Sequence, residues 1–170
     1  MGFFDQASTA KESTITILLP GFEVACTLRC VGVMQTFLND EQRGIFALSA
    51  ATVYGLEEGN PATSMKIPDL FVRKRDCHAI IFPMALPRDE SGLLPRTERL
   101  AVYTSHYAIQ GDFHMGADAN VGDFIDSSKL LFVGASNVTI HPLFAPQSSL
   151  TQQGAMVFIA RDSVRMHHRI

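Results

Sequence analysis

The chain has no tryptophan, only three cysteines, and charged side chains at just 18% of its 170 residues. It has no apolar run approaching the ~20 residues of a membrane span, which excludes a helical transmembrane anchor. It also lacks a basic excess. The formal net charge is −3; residues 14–83 hold six basic and seven acidic side chains, and residues 99–170 hold five of each. Neither stretch carries the positive footprint that phosphate backbones require, which argues against nucleic acid as the partner. The opening MGFFDQASTAKEST lacks the basic start and long apolar core of a secretory signal, so the expected location is the cytoplasm. Low charge beside twelve phenylalanines fits a core-forming chain that keeps some apolar surface for association.

What the chain does have is a repeat. The stretch FLNDEQRGIFALSAATVYGL, residues 37–56, matches FIDSSKLLFVGASNVTIHPL, residues 124–143, without a gap at an offset of 87. Phe37 meets Phe124, Ser49 meets Ser136, Thr52 meets Thr139 and Leu56 meets Leu143. Upstream the offset becomes 85, with Ile17 on Val102 and Val24 on Ile109. Downstream it reads as 86, with Leu70-Phe71-Val72 on Met156-Val157-Phe158 and Arg75-Asp76 on Arg161-Asp162. The period is too long for a solenoid and fits a duplicated small domain. The cysteines Cys26, Cys30 and Cys77 all lie in the first copy. A disulfide needed by the fold would recur, so they read as reduced and buried.

Periodicity gives one order twice. Thr14–Leu19 and Phe22–Cys30 alternate as strands around the Pro20-Gly21 turn. A short plug follows at Met34, Phe37 and Leu38. A strand over 45–56 is kinked at Ser49, a loop runs over 57–68, and strands at 70–74 and 77–82 flank a tight Arg75-Asp76 turn. The second copy repeats this over 100–104, 108–115, 131–143, 155–160 and 164–168. The expected organisation is a flexible N-terminus (1–13), a first β repeat (14–83), a proline-containing linker (84–98) and a second β repeat (99–170).

This order resembles the Sm-like fold of Sm, LSm and Hfq proteins. It is most similar to bacterial domains of that type with no assigned activity, through Phe37-Leu38-Asn39, Phe46-Ala47-Leu48, Val53, Phe71-Val72 and Arg75-Asp76. The resemblance implies an all-β fold: two tandem five-stranded Sm-like (SH3-like) small barrels packed on each other. RNA-binding members carry an Arg-Gly-Asp/Asn turn before the fifth strand; here the turns are Arg75-Asp76 and Arg161-Asp162, without the glycine. Members also pair their fourth and fifth strands between subunits. That implies edges at 70–74 with 77–82 and at 155–160 with 164–168, one used internally and one left for a second chain.

Candidate chemistry is sparse. The two Arg-Asp turns are the only charged pairs matched in both copies; they read as turns in which Asp accepts backbone N–H bonds and Arg braces a loop, with a ligand role as the alternative. Ser49, Thr52, Ser136 and Thr139 are polar positions within apolar strands, expected to satisfy backbone groups at a bend or to form a polar pocket. Cys26 and Cys30, with Cys77-His78, have the residue types of a zinc site, but two strand positions four apart lie about 13 Å from each other, too far for one ion. The Asp118-x-Asn120-x-Gly122-Asp123 run has Lys129 where a calcium loop needs a bidentate glutamate. No histidine has a nucleophile at a recognisable spacing, and no Gly-x-Ser-x-Gly elbow, P-loop or dinucleotide fingerprint occurs. The expectation is a non-enzymatic scaffold or assembly protein without cofactor or metal, a homo-oligomer or a subunit with a protein partner. The alternatives are a single-stranded RNA or DNA binder of Sm-like type and a small-molecule or metal sensor.

Overall fold

The computed structural model describes residues 9–170. The strands are β1 (Lys11–Leu19), β2 (Phe22–Cys30), β3 (Ile45–Gly55), β4 (Met65–Arg73), β5 (Ala79–Phe82), β6 (Arg96–Tyr103), β7 (Tyr107–Met115), β8 (Phe132–Pro142), β9 (Gln153–Ala160) and β10 (Met166–Arg169). Short helices α1 (Met34–Leu38), α2 (Arg88–Ser91) and α3 (Phe124–Ser127) sit between them. Three-residue 3-10 turns at Lys74–Asp76 and Arg161–Ser163 precede β5 and β10. The protein is all-β: every strand joins one antiparallel sheet in the order β10-β6-β7-β8-β9-β5-β1-β2-β3-β4. Among the described residues no helix is long and apolar enough to cross a membrane.

The sheet is open, and the halves do not merely pack on each other. They share a ladder: β5 pairs with β9, Ala79 opposite Ile159 and Phe82 opposite Met156. The sequence explains why. AIIF in β5 is buried at all four positions, as are the last five residues of β9. A strand buried on both faces reads as a continuous apolar run rather than an alternation. Ile80, Phe82, Met156 and Phe158 face one core with most of the first half, and Ala79, Ile81, Val157 and Ile159 face the other. Each strand is thus a wall of two cores. Of the edge strands expected from sequence, β5 and β9 are joined inside the chain, and β4 and β10 are left outermost.

Further links cross the joint. Asn39 extends β8 by accepting from Phe132 N at 2.8 Å and donating to its carbonyl at 3.4 Å. Buried Glu23 accepts from Thr151 N and Oγ1 at 2.8 and 2.9 Å, and Gln147 Nε2 donates to Gly55 and Asn60 carbonyls, both at 3.0 Å.

Several boundaries differ from expectation. Residues 1–8 of the expected flexible N-terminus lie outside the described residues; Lys11 already pairs with Cys30. The linker ends at Pro95, because Arg96–Glu98 pair with Phe113–Met115 in β6. β4 begins at Met65 and includes Pro68, which an outer strand tolerates because a proline removes one ladder donor. The kink in β3 is a bulge: two residues of β3 face Cys26, and Ala50 has φ 49°. β8 has the same bulge opposite Gly111, with Asn137 at φ 52°.

The ladders also correct one alignment. Ser49 pairs with Asp69 and Ser136 with Met156, so β4 meets β9 at an offset of 87, not 86. The 3-10 turns keep that offset, which sets Lys74, not Arg75, on Arg161. The repeated Arg-Asp letters are displaced by one position in space.

Candidate functional site

The turns Lys74–Asp76 and Arg161–Ser163 open onto one cleft of about 840 Å³ between the halves. Arg75, Asp76 and Asp162 line it, so three of the four turn residues singled out by sequence meet there. Arg161 turns away. Its Nη1 donates to the Ser128 carbonyl just after α3, and its Nε and Nη2 both donate to Asp162 Oδ1 at 3.0 Å. Lys74 has the matching task in the first half. Its Nζ donates to the carbonyls of Phe37 and Leu38 at 3.1 Å and Asp40 at 3.0 Å, at the end of α1. A cation on the last carbonyls of a helix satisfies acceptors that have no partner within it. Burial holds the Lys74 ammonium below the usual lysine range, with nearby Asp40 opposing that shift. These two cations brace loops. Among the described residues neither Asp76 nor Asp162 has the backbone N–H partners expected of the turns.

Five basic side chains line the cleft (Arg43, Arg73, Lys74, Arg75, Arg165) against three acidic ones (Glu41, Asp76, Asp162). Arg43 reaches Asp40 at 3.4 Å and Arg75 reaches Asp76 at 3.8 Å. Arg73 and Arg165 have no ion pair among the described residues. At the floor lies His78, 8% exposed, whose Nδ1 is buried without a hydrogen-bond partner. Its ring stands edge-on to His106 at 5.1 Å and to Tyr107 at 6.0 Å. Burial, then the neighbouring charges of His106 and Arg165, push its pKa down to about 4. His78 is therefore neutral at pH 7.

The zinc reading of Cys77-His78 meets strand geometry. Cys77 packs in the first core and donates to the Arg73 carbonyl at 3.5 Å, whereas His78 packs edge-on against His106 and Tyr107 of the second half. All three cysteines are free and buried; burial raises Cys26 and Cys77 to about 12. In the loop with the calcium-like spacing, the carbonyls of Gly116, Ala117 and Ala119 accept from Arg96 Nη1 at 3.1, 2.8 and 2.8 Å. An arginine already occupies the place a cation would take.

Ser49 and Thr52 lie on β3, Ser136 and Thr139 on β8, with four strands between these two in the sheet. Among the described residues Ser136 alone of the four has a side-chain hydrogen bond. It lines a second cavity of about 280 Å³, where its hydroxyl lies 3.0 Å from His114 Nε2. His114 Nδ1 lies 2.5 Å from the Leu94 carbonyl; since a carbonyl only accepts, Nδ1 carries a proton, and in the neutral ring the hydroxyl donates to Nε2. The ring thereby ties the connector before β6 to β8. Sequence spacing gave no sign of this contact, because Ser136 and His114 are brought together by the β7–β8 ladder. The contact of His78 with His106 is hidden for a different reason: the two lie in different halves.

Comparison of the chain with protein-family models, with curated proteins and with solved structures gives no match.

Proposed function

We propose that the chain is a non-enzymatic assembly module whose halves are Sm-like five-stranded units, and that it acts by adding strands from further chains to its sheet. The observation that carries this reading is the state of its two outer strands. Among the described residues β4 and β10 each pair on one side only, and they display large apolar side chains, Phe71 at 71% and Met166 at 62% exposure. An unpaired edge presents a row of free N–H and C=O groups, which proteins ordinarily cover or guard with charge. Light scattering across a concentration series tests the reading. Species larger than the 18.7 kDa chain support it, and a monomer at all concentrations contradicts it.

A second reading draws on the cleft. Arg73 and Arg165 beside the unpartnered Nδ1 of His78 favour a small anionic ligand or a few nucleotides of single-stranded RNA or DNA. The net charge of −3 runs against long nucleic acid. Fluorescence anisotropy with a labelled single-stranded oligonucleotide separates the readings: salt-sensitive submicromolar binding that is lost in Arg165→Ser favours the cleft.

A further inference from the structure

The bond between His114 and Ser136 belongs to the second half alone. Leu28 faces Leu48 on the β2–β3 ladder as Phe113 faces Ala135 on the β7–β8 ladder, which sets Arg29 in the place of His114 and Ser49 in the place of Ser136. An arginine keeps its protons and cannot accept from a hydroxyl. Ser49 has no side-chain hydrogen bond among the described residues. The first half nevertheless forms the same strands and the same bulge, with Ala50 where β8 has Asn137. The fold therefore does not require the pair.

Three features meet at Ser136. The first is a base within reach. Ser136 Oγ lies 3.0 Å from His114 Nε2, and His114 Nδ1 lies 2.5 Å from the Leu94 carbonyl. In the neutral ring the carbonyl holds Nδ1–H, and Nε2 is left to take the hydroxyl proton. A hydroxyl beside a base that a third group orients is the arrangement of an activated nucleophile. We propose that Ser136 is such a nucleophile, and that it takes up a short acyl group from an ester bound in the adjoining cavity.

The second feature is the way the pair is assembled. The β7–β8 ladder pairs Asp112 with Ser136 and Phe113 with Ala135, so the next position sets His114 opposite Gly134. Glycine there leaves the imidazole free to lean across to Ser136. It also lets the connector before β6 close over the strands: a Cβ at Gly134 would lie 2.2 Å from Leu93 Cδ2. Leu93 thus packs over Gly134 while the next residue, Leu94, orients His114. In the first half Ala47 stands in the place of Gly134.

The third feature is the cavity. Its volume of about 280 Å³ is at the small end for ligand pockets. Leu86, Leu93, Ala155 and Met156 make its wall apolar, which suits an aliphatic acyl chain. Arg88 is the one arginine or lysine in its lining and has no ion pair among the described residues. Its guanidinium is available to an ester oxygen that gains negative charge during attack.

In the step, Ser136 Oγ bonds to the ester carbonyl carbon and its proton passes to His114 Nε2. The tetrahedral adduct then breaks its bond to the alcohol oxygen, which takes that proton from Nε2 and leaves. His114 is neutral again and Ser136 carries the acyl group. The step ends at the acylated chain, so it modifies the assembly module without turnover. It goes beyond the assembly reading and does not depend on the outer strands.

Treating the full chain with para-nitrophenyl butyrate tests the proposal, read by nitrophenolate release and by intact and peptide mass spectrometry. One butyryl group is expected on Ser136, with nitrophenolate released in equal amount. Ser136→Ala should abolish that adduct, and His114→Gln should slow its formation at least about a hundredfold, the usual share of a general base. Thermal melting checks that each variant is folded. Ala155→Leu narrows the cavity without touching either member of the pair, and should slow the reaction about tenfold or more even if His114→Gln does not fold. A chain whose Ser136 stays unmodified overturns the proposal. So does acylation of Ser136 at an unchanged rate in folded His114→Gln or in Ala155→Leu. Neither result bears on the assembly reading.

Discussion

Phe71 and Phe158 hold the same ladder position in the two halves, one opposite Ala47 on β3 and the other opposite Gly134 on β8, yet Phe71 is 71% exposed and Phe158 is wholly buried. The difference is the neighbour: Phe158 lies in the first core against Phe82 of β5, and among the described residues no strand pairs with the outer side of β4. Replacing each by alanine should therefore have opposite readouts. Phe158→Ala is expected to cost about 3–5 kcal/mol of stability, the range for a buried phenylalanine. Phe71→Ala should leave the melting temperature of dilute protein nearly unchanged and weaken association. Chemical denaturation and light scattering on the two variants check this.

Lys74 holds the plug in place through three carbonyls. Lys74→Met keeps the volume and removes all three donors, leaving acceptors at the end of α1 without partners. The expected loss is about 2–3 kcal/mol in a urea titration, with Arg75→Met, next in sequence but exposed, costing under about 0.5 kcal/mol. Equal effects would contradict the reading of Lys74 as the brace.

His78 gives stability a pH dependence. Its folded pKa is near 4, below the ordinary value of 6.5, so between these values the unfolded chain binds more protons than the folded one. Stability from this group is therefore fully present above pH 6.5 and is lost as the pH falls towards 4. Between pH 7 and pH 5 the loss should be about 1 kcal/mol after allowance for solvent screening, and His78→Gln should flatten that part of the curve. Denaturant midpoints at the two pH values measure it.

The bulges offer a comparison between the halves. Ala50 and Asn137 share a left-handed conformation, but Asn137 Nδ2 also donates to Asp112 Oδ2 at 2.8 Å. Ala50→Gly should be neutral or stabilise by up to about 1 kcal/mol, because alanine is strained there. Asn137→Ala should destabilise by about 1–2 kcal/mol through the same strain and the lost bond. It should also raise the Asp112 pKa, which that hydrogen bond, and then Arg99, hold below the usual aspartate range.

Much of this architecture was legible because it is periodic. The alternation of β2, the Pro20-Gly21 turn, the Ser49 kink and the plug at Met34 and Leu38 each have a local cause. What stayed hidden was non-local. The apolar runs AIIF and MVFIA mark strands buried on both faces, but not which strand covers them. The one-residue slip between Arg75 and Lys74 arose because letters were matched where geometry matches a cation to a helix end. The His114–Ser136 contact depends on the β7–β8 register and the His78–His106 contact on how the two halves meet, and spacing along the chain reveals neither.

Strand addition as proposed, with β4 of one chain taking up β10 of another so that the two outer edges are joined, is tested most directly by mixing two blocked chains. Phe71→Pro removes an outward donor from β4, and His167→Pro removes one from β10; the inward bonds to β3 and β6 come from other residues. Each variant, checked for its fold by circular dichroism, retains one usable edge of opposite kind. Each alone should give the chain mass of 18.7 kDa by light scattering, and the equimolar mixture should give a single species of twice that mass. A mixture that stays at the single-chain mass, or either variant forming a dimer by itself, would contradict the account.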